Sequence, residues 1–329
     1  MTLVALSHAY PPAWNLGGEV ALHRMLTAVG RPVTVLTRTP ESYDFDDIHV
    51  EPIGLTDVLN VNVDPTPLIE QLKALGASAV IAQNELSLPA VKAAKHLGIP
   101  SVVIVHAPPR YGKALRTAVA TATHVIFNTR TSMEEWGRRD GLVVHPPISP
   151  LPPASEPHGT TYTLLSNLAN KGVAVVLDLA AQMPEQPFLI VRSPAEFTHG
   201  LPDFDERATA LPNVTIAARV PPADVAARYL SRTRILLAPS RYETYGMSAI
   251  EAAGYSIPAV HVDTPHVREG IGDAAILIPP LNRPGTLAGI EQIEADYPAW
   301  SHLARARAEW LAARQVMEQH AWARFCGTL

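Results

Sequence analysis

Residues 234–258 have the sequence RILLAPSRYETYGMSAIEAAGYSIP, in which an apolar run, a turn and a helix-forming segment follow one another directly. The apolar run at 234–238 predicts a buried strand, and Pro239 and Gly246 mark the turn that follows it. Helix formers with apolar residues at helical spacing then predict a helix over 247–253. A buried strand that leads directly into a helix is typical of α/β proteins with a parallel sheet.

Two glutamates, Glu243 and Glu251, give this stretch a chemical use. Glu243 falls on the predicted strand-to-helix loop, and Glu251 falls inside the helix. The backbone N–H groups of Tyr245, Gly246 and Met247 are expected at the helix N-terminus, where anions and hydroxyl oxygens bind well. Glu243 is suited to accept hydrogen bonds from sugar hydroxyls, and Glu251 from the vicinal hydroxyls of a ribose. The alternative is a surface helix with two solvated acids.

The composition is that of a globular protein with room for two domains. The chain has 329 residues, of which 47% are hydrophobic and 17% charged, and its net charge is -5. A balance of this kind does not indicate attraction to nucleic acid or anionic lipid. The single cysteine, Cys326, excludes an internal disulfide and a cysteine-based metal site. With no charged leader and no apolar run of membrane-spanning length, the sequence predicts a soluble cytoplasmic protein.

Predicted strands and helices alternate in two series. The first has strands near 2–7, 33–37, 48–53, 79–83, 102–106 and 125–128, with helices at 19–29, 67–75 and 89–97. The second has strands at 162–166, 188–191, 214–217, 234–238, 259–262 and 275–278, with helices at 173–182, 223–230 and 247–253. Six prolines within residues 143–159 form a predicted linker between the two series. The sequence predicts two doubly wound α/β domains, 1–147 and 148–300, with a helical tail at 301–329 that could complete the first.

These features together resemble the GT-B glycosyltransferases, specifically the retaining family often called family 4. The resemblance covers nearly the whole chain and is strongest in residues 238–258, which match the paired-glutamate pattern of that family. It implies two Rossmann-like domains that face a central cleft, the first for the acceptor and the second for a nucleotide-sugar donor. It also implies that Glu243 and the amides of residues 245–247 bind the donor sugar, while Glu251 binds the ribose.

Other donor-site residues follow from the same resemblance. Gly17 and Gly18, after the first strand, resemble a glycine pair that lies against the donor diphosphate, and small residues there leave N–H groups open to an anion. His106, at the end of an apolar strand, resembles a histidine that contacts the donor sugar. Asn167 and Lys171 align with a basic pair whose first member is normally arginine. Lys171 is expected to neutralise the departing diphosphate.

The missing arginine leaves two alternatives open: either a neighbour such as Arg192 or Arg219 compensates, or activation of the leaving group is weaker. Both arginines follow predicted strand ends. In residues 265–269, PHVRE replaces the two glycines of the family pattern and retains only Glu269, which favours an altered donor preference.

Two charged segments lie outside this pattern. Asp44 and Asp46 form an Asp-x-Asp sequence that we interpret as part of an acidic connecting loop with no nearby metal-binding histidine, and not as a metal site. Arg110, Lys113 and Arg116 form a basic cluster after His106, which suggests an anionic acceptor such as a phosphorylated sugar, a lipid headgroup or nucleic acid. The alternative for this cluster is a solvated helix face.

The resulting hypothesis is an enzyme that transfers a sugar from a nucleotide-diphosphate donor to an acceptor hydroxyl with retention of configuration and without a metal or other cofactor. No residue stands out as a nucleophile, which fits a front-face mechanism in which the leaving phosphate helps to deprotonate the acceptor. Two alternatives remain: a nucleotide-sugar epimerase or hydrolase on the same scaffold, and a noncatalytic nucleotide-sugar binding module.

Overall fold

The structure, a computed structural model, describes residues 2–12, 17–55, 62–153, 159–194 and 200–329. The residues just before Gly17 and part of the predicted linker lie outside these ranges. The chain forms two compact units, the first made of Met1–Pro147 and Gln315–Leu329 and the second of Ile148–Arg314. Within the described ranges, no helix is both long enough and apolar enough to span a membrane.

The first unit is a mainly parallel sheet with helices on both faces. Its strands are β1 (Thr2–Leu6), β2 (Val33–Thr37), β3 (Tyr43–Phe45), β4 (Ile48–Pro52), β5 (Ala77–Gln83), β6 (Ser101–Val105), β7 (His124–Phe127) and β8 (Leu142–Val143). Its helices are α1 (Gly17–Thr27), α2 (Thr66–Ala74), α3 (Ser87–Leu97), α4 (Lys113–Thr121) and α5 (Arg130–Glu135). The strand order is β3-β4-β2-β1-β5-β6-β7-β8, and only β3 runs antiparallel to its neighbour.

Burial on both faces explains why the central strands of this sheet are almost continuously apolar. One face packs against Leu22 and Met25 of α1, and the other against Leu68 and Leu72 of α2. The strand order reverses beside β1, because β2 lies on one side of it and β5 on the other. Ligands of doubly wound sheets bind at the carboxyl ends of the strands at such a switch point.

The second unit is a six-stranded sheet that is parallel throughout. Its strands are β9 (Thr161–Leu164), β10 (Phe188–Val191), β11 (Val214–Ala217), β12 (Thr233–Ala238), β13 (Ala259–Val262) and β14 (Ala275–Ile278). Its helices are α6 (Val173–Gln182), α7 (Phe204–Thr209), α8 (Pro222–Arg228), α9 (Met247–Ala253), α10 (Pro265–Gly270) and α11 (Arg283–Ala295). The order β11-β10-β9-β12-β13-β14 places the switch point of this sheet between β9 and β12.

The α/β prediction is confirmed, with several elements at the predicted bounds. The predicted linker is partly packed against the second unit, because Ile148 is 5% exposed and belongs to a core cluster of that unit. The last helix, α12 (Tyr297–Gly327), begins in the second unit and ends in the first. In the first unit its Trp322 is 1% exposed, and the indole N–H donates to the carbonyl of Met25 at 2.8 Å.

The interpretation of residues 44–46 as a connecting loop without nearby histidines is wrong. Asp44 lies on β3, which pairs antiparallel with β4, and its carboxylate is 2.6 Å from Nδ1 of His49 on β4. Asp46 is 2.8 Å from Nε2 of His23. Asp44 is therefore paired with a histidine of the hairpin and Asp46 with a histidine of α1, and the described residues contain no group of three or more His, Cys, Asp or Glu placed to hold a metal ion.

Candidate functional site

The two most informative predicted site residues of the second unit, Lys171 and Glu243, are in direct contact. Lys171 lies in the loop after β9 and Glu243 in the loop after β12, at the switch point of the sheet. The Lys171 ammonium donates to Oε1 of Glu243 at 2.6 Å, and the Ser240 hydroxyl donates to the same oxygen at 2.9 Å. The Lys171 side chain is 34% exposed and that of Glu243 is 18% exposed. Both groups thus remain open to a ligand.

Close backbone contacts hold the two loops in place. Gly172 has a φ of +84°, and a Cβ on it would lie 2.4 Å from the carbonyl oxygen of Pro239. Only glycine fits there, because both the backbone angle and the space exclude a side chain. The Arg241 N–H donates to the carbonyl of Asn170 at 2.8 Å, and the Thr264 hydroxyl donates to the carbonyl of Glu243 at 3.0 Å.

The charge state of Glu243 follows from these contacts. Burial by itself raises the pKa of this carboxyl, but the Lys171 charge and the hydrogen bonds from Lys171 and Ser240 lower it below its ordinary value overall. The carboxylate is therefore ionised near neutral pH, when it can only accept hydrogen bonds. Such a group suits sugar hydroxyls, which are donors. Because the Lys171 charge is close by, the pair together is electrically neutral.

A buried histidine lies behind the loop that carries Glu243. His261 on β13 is 0% exposed, its Nδ1 is 3.0 Å from the carbonyl of Val262, and its Nε2 has no hydrogen-bond partner. A Cβ on Gly246, where φ is +84°, would lie 2.9 Å from that Nε2. Burial lowers the pKa of His261, so the ring is neutral, with the hydrogen on Nδ1. Gly246 is thus required for α9 to begin at Met247 against this ring.

Sequence reasoning missed His261, because a histidine within an apolar strand gives no signal of its own. It also missed Ser240 as a partner of Glu243, although the three-residue separation of the two in a tight loop could have indicated the hydrogen bond.

Asn167 has a structural contact that a sequence does not reveal. Its side-chain oxygen accepts a hydrogen bond from the backbone N–H of Ser193 at 2.7 Å, which joins the loop after β9 to the end of β10. The hydroxyls of Ser166 and Ser193 are 2.9 Å apart beside it. Arginine has no acceptor, so it cannot make the Asn167 contact.

Of the other predicted donor-site residues of the second unit, Arg192 and Arg219 follow the carboxyl ends of strands in the same sheet. Arg192 follows β10 and forms an ion pair with Asp205. Its guanidinium carbon lies 5.4 Å from the ring centroid of Phe204. Arg219 follows β11, is exposed and has an interaction partner of its own. Glu251 lies on α9 and is partly exposed.

The segment at residues 265–270, which departs from the family pattern, forms α10. Its His266 is 2% exposed, and its Nε2 is 2.8 Å from the hydroxyl of Tyr242. The side chain at this altered position therefore packs beneath the loop that carries Glu243. It acts on that loop through Tyr242 and does not occupy the open part of the site.

In the first unit, a chain of hydrogen bonds joins three strand ends at the switch point. The Gln83 amide donates to the Ser7 hydroxyl at 2.9 Å, and its oxygen lies 2.9 Å from Nε2 of His106. We assign the His106 hydrogen to Nε2 from this network, which leaves Nδ1 as an acceptor. Burial lowers the pKa of His106 to about 4, so the ring is neutral at physiological pH. A Cβ on Gly18 would lie 4.0 Å from the ring, which places Gly18 beside His106.

The basic cluster lies beyond His106 on the same unit. Arg110, Lys113 and Arg116 are all exposed, and one guanidinium nitrogen of Arg116 donates to the carbonyl of Pro109 at 3.1 Å. Arg110 also has an interaction partner.

Comparison with known proteins bears on the second unit most directly. Residues 159–296 match the family model described as glycosyl transferases group 1. None of the curated proteins matches the chain in sequence.

Solved structures share the fold over the whole length of the chain. Anabaena HepE, solved in complex with UDP and glucose, has a TM-score of 0.79 at 18% identity, with 99% of each chain covered. Sucrose-phosphate synthase from Thermosynechococcus elongatus has a TM-score of 0.75 at 16% identity, and the lipopolysaccharide outer core galactosyltransferase WaaB has 0.70 at 15% identity, each with 100% of both chains covered. Residues 159–296 of the second unit are therefore similar in sequence to the group 1 glycosyl transferases, and the chain as a whole has the GT-B fold of these solved structures.

Proposed function

We propose that this protein transfers a sugar from a UDP-sugar to an acceptor hydroxyl with retention of anomeric configuration. The observation that carries the proposal is the Lys171–Glu243 pair at the switch point of the second unit, with a carboxylate for sugar hydroxyls and a cation for phosphate. The uridine nucleotide is proposed because HepE of the same fold was solved with UDP-glucose.

In this proposal the donor sugar and the nucleotide have separate partners. Glu243 accepts hydrogen bonds from the sugar hydroxyls, and Glu251 accepts them from the ribose. The N–H groups of residues 245–247, at the start of α9, hold oxygens of the donor. By resemblance, His106 contacts the sugar. Its neutral Nδ1 suits it to accept a hydrogen bond from a sugar hydroxyl.

The transfer step uses the leaving group as the base. The bond from the anomeric carbon to the β-phosphate oxygen breaks, and the acceptor oxygen forms its bond to that carbon on the same face. The acceptor proton passes to the departing diphosphate, so the protein supplies no nucleophile. Negative charge increases on the diphosphate as the bond breaks, and Lys171 together with the amides of Gly17 and Gly18 stabilises it. We propose that this charge stabilisation comes from the protein, without a metal.

The acceptor and the compartment complete the proposal. Arg110, Lys113 and Arg116 are proposed to favour an anionic acceptor, since three exposed cations lie close to His106 in sequence. The only cysteine, Cys326, is 0% exposed, and burial raises the pKa of its thiol to about 12, so it is unreactive. A single inert thiol fits a reducing cytoplasm.

A donor panel tests the proposal and separates it from its alternatives. The purified protein is incubated with UDP-glucose, UDP-galactose and GDP-mannose, with and without a mixture of sugar and sugar-phosphate acceptors, and nucleotide release is measured. Release that requires an acceptor supports transfer, whereas release without one indicates hydrolysis. Conversion of one UDP-sugar into another indicates an epimerase, and binding without turnover indicates a noncatalytic module. Turnover that chelation abolishes would contradict the metal-free mechanism.

A matched pair of variants tests the site itself. Glu243→Ala is expected to lower turnover by at least a hundredfold, because it removes the acceptor for the sugar and leaves Lys171 without its partner. Glu291→Ala, at an exposed glutamate on α11 of the same unit, should retain the activity of the unaltered protein. Full activity of Glu243→Ala would refute the site assignment.

A further inference from the structure

At the switch point of the second unit, the Lys171–Glu243 pair offers a nucleoside diphosphate no net positive charge. Lys171 is the cation expected to meet the diphosphate, yet it is paired with Glu243 at 2.6 Å, so the two together carry no net charge. Asn167 adds none. A ligand with two or more negative charges gains little from a neutral pair unless a further cation lies nearby.

Most other cations at this edge already have carboxylate partners. Arg192 is paired with Asp205, and Arg268 is paired with Asp263 at 2.5 Å. Arg219 has an interaction partner as well. The guanidinium groups of Arg192 and Arg268 would have to give up or share their carboxylate contacts before they could bind phosphate.

Arg241 differs from them. It lies between Ser240 and Glu243 in the loop after β12, its side chain is exposed, and among the described residues it makes no ion pair. Its backbone N–H donates to the carbonyl of Asn170, the residue before Lys171, at 2.8 Å. An exposed guanidinium is thus attached to the same two loops that bring Lys171 and Glu243 together.

The backbone that carries this side chain is fixed on both sides. The Ser240 hydroxyl bonds to the Glu243 carboxylate, and the carbonyl of Glu243 accepts from Thr264. The hydroxyl of Tyr242 is 2.8 Å from His266. Because these contacts do not involve the Arg241 side chain, its replacement leaves the loop supported.

We propose that Arg241 binds the diphosphate of the nucleotide donor and supplies the positive charge that Asn167 does not provide. This inference rests on the proposed function. A guanidinium forms two parallel hydrogen bonds to phosphate oxygens, and it keeps its charge throughout the accessible pH range. As the bond to the anomeric carbon breaks, negative charge increases on the β-phosphate. Arg241 then stabilises the leaving group next to a lysine whose charge is shared with Glu243.

The test compares the affinities of UDP and uridine, measured by calorimetry, for the unaltered protein and three variants. Arg241→Ala is expected to weaken UDP binding about tenfold, which is 1.4 kcal/mol, and to change uridine binding less than twofold. Arg241→Lys should restore binding to within about threefold, because it keeps the charge but loses the two-pronged geometry. Arg232→Ala is the control, at an exposed arginine just before β12, at the opposite edge of the sheet.

The outcomes separate this inference from the proposed function. UDP binding by Arg241→Ala that equals that of the unaltered protein would overturn the role of Arg241 and leave the function intact. Equal losses for UDP and uridine, or a lower melting temperature, would show a structural role and would also overturn it. If the unaltered protein binds neither UDP nor another nucleoside diphosphate, both proposals fail. If Arg241 contacts phosphate, the difference in UDP affinity between the unaltered protein and Arg241→Ala should also be smaller in 1 M salt, where the screening length is about 3 Å.

Discussion

The ion pair between Lys171 and Glu243, which lies in the candidate site, should also stabilise the second unit. Exposed ion pairs contribute about 0.2–1 kcal/mol, whereas breaking a buried pair costs about 3–5 kcal/mol. With side chains 34% and 18% exposed and atoms 2.6 Å apart, this pair falls between the two cases. Since Lys171 is about one third exposed, solvent screening reduces the effect, and we expect a coupling energy of roughly 1–2 kcal/mol.

A double-mutant cycle measures this coupling. Lys171→Met, Glu243→Gln and the double variant are compared with the unaltered protein by denaturant unfolding, with the second unit followed separately where the two units unfold apart. Each single variant should melt roughly 2–8 °C lower than the unaltered protein. The double variant should lose less stability than the sum of the two single losses. The exposed pair Lys73–Glu70 on α2 is a contrast, for which we expect coupling below about 0.5 kcal/mol.

The same cycle has a pH dependence of known sign. The folded-state pKa of Glu243 is lowered from 4.5. The contribution of the carboxylate to the free energy of unfolding is therefore complete above its unfolded-state pKa, and it is lost as the pH falls through its folded-state pKa. The coupling energy should therefore be constant near neutrality and disappear in strong acid. Coupling within 0.3 kcal/mol of zero at pH 7, or unchanged coupling below both pKa values, would refute the reasoning.

Two further predictions concern Gly172 in the second unit and His106 in the first. Gly172→Ala should destabilise the second unit by about 2 kcal/mol or more in thermal unfolding. The reason is that φ of Gly172 is +84° and the new Cβ would lie 2.4 Å from the carbonyl oxygen of Pro239. Unchanged stability would show that the loop moves freely. For His106, whose folded pKa of about 4 lies below the ordinary 6.5, the folded state binds fewer protons, so stability falls as the pH drops from 6.5 towards 4. His106→Asn should lose less stability over that interval, by on the order of 2 kcal/mol, and parallel pH profiles would contradict this.

The parts of this protein that could be predicted from sequence are those with local causes. Strand β2 at Val33–Thr37 and helices α6 and α9 have the predicted bounds, because an apolar run or a helical repeat interrupted by Gly and Pro depends only on neighbouring residues. The error at Asp44 has the same origin. Alternating polar residues in a short hairpin look like a charged loop until the pairing partner is known, and β3 exists only because β4 lies beside it.

Contacts between distant residues account for what the sequence did not reveal in the site. Lys171 and Glu243 are 72 positions apart, and their contact depends on the order of β9 and β12 in the sheet. His261 was overlooked because its importance lies in what surrounds it, an unpartnered Nε2 facing the glycine before α9. Spacing along a chain carries no information about a lone pair that has no partner.

Asn167 shows how a substitution changes meaning once its neighbours are known. In the sequence, Asn167 stands where the family pattern has arginine, which predicts weaker stabilisation of a departing diphosphate. In the structure its oxygen accepts the Ser193 N–H at 2.7 Å and joins two loops at the edge where the donor is proposed to bind. A guanidinium has only donors, so one residue at this position cannot both accept the Ser193 N–H and supply a positive charge. If the chain binds a diphosphate with this geometry, the charge has to come from another position. The backbone of Arg241 is bonded to Asn170, the residue before Lys171, and among the described residues the Arg241 side chain has no carboxylate partner.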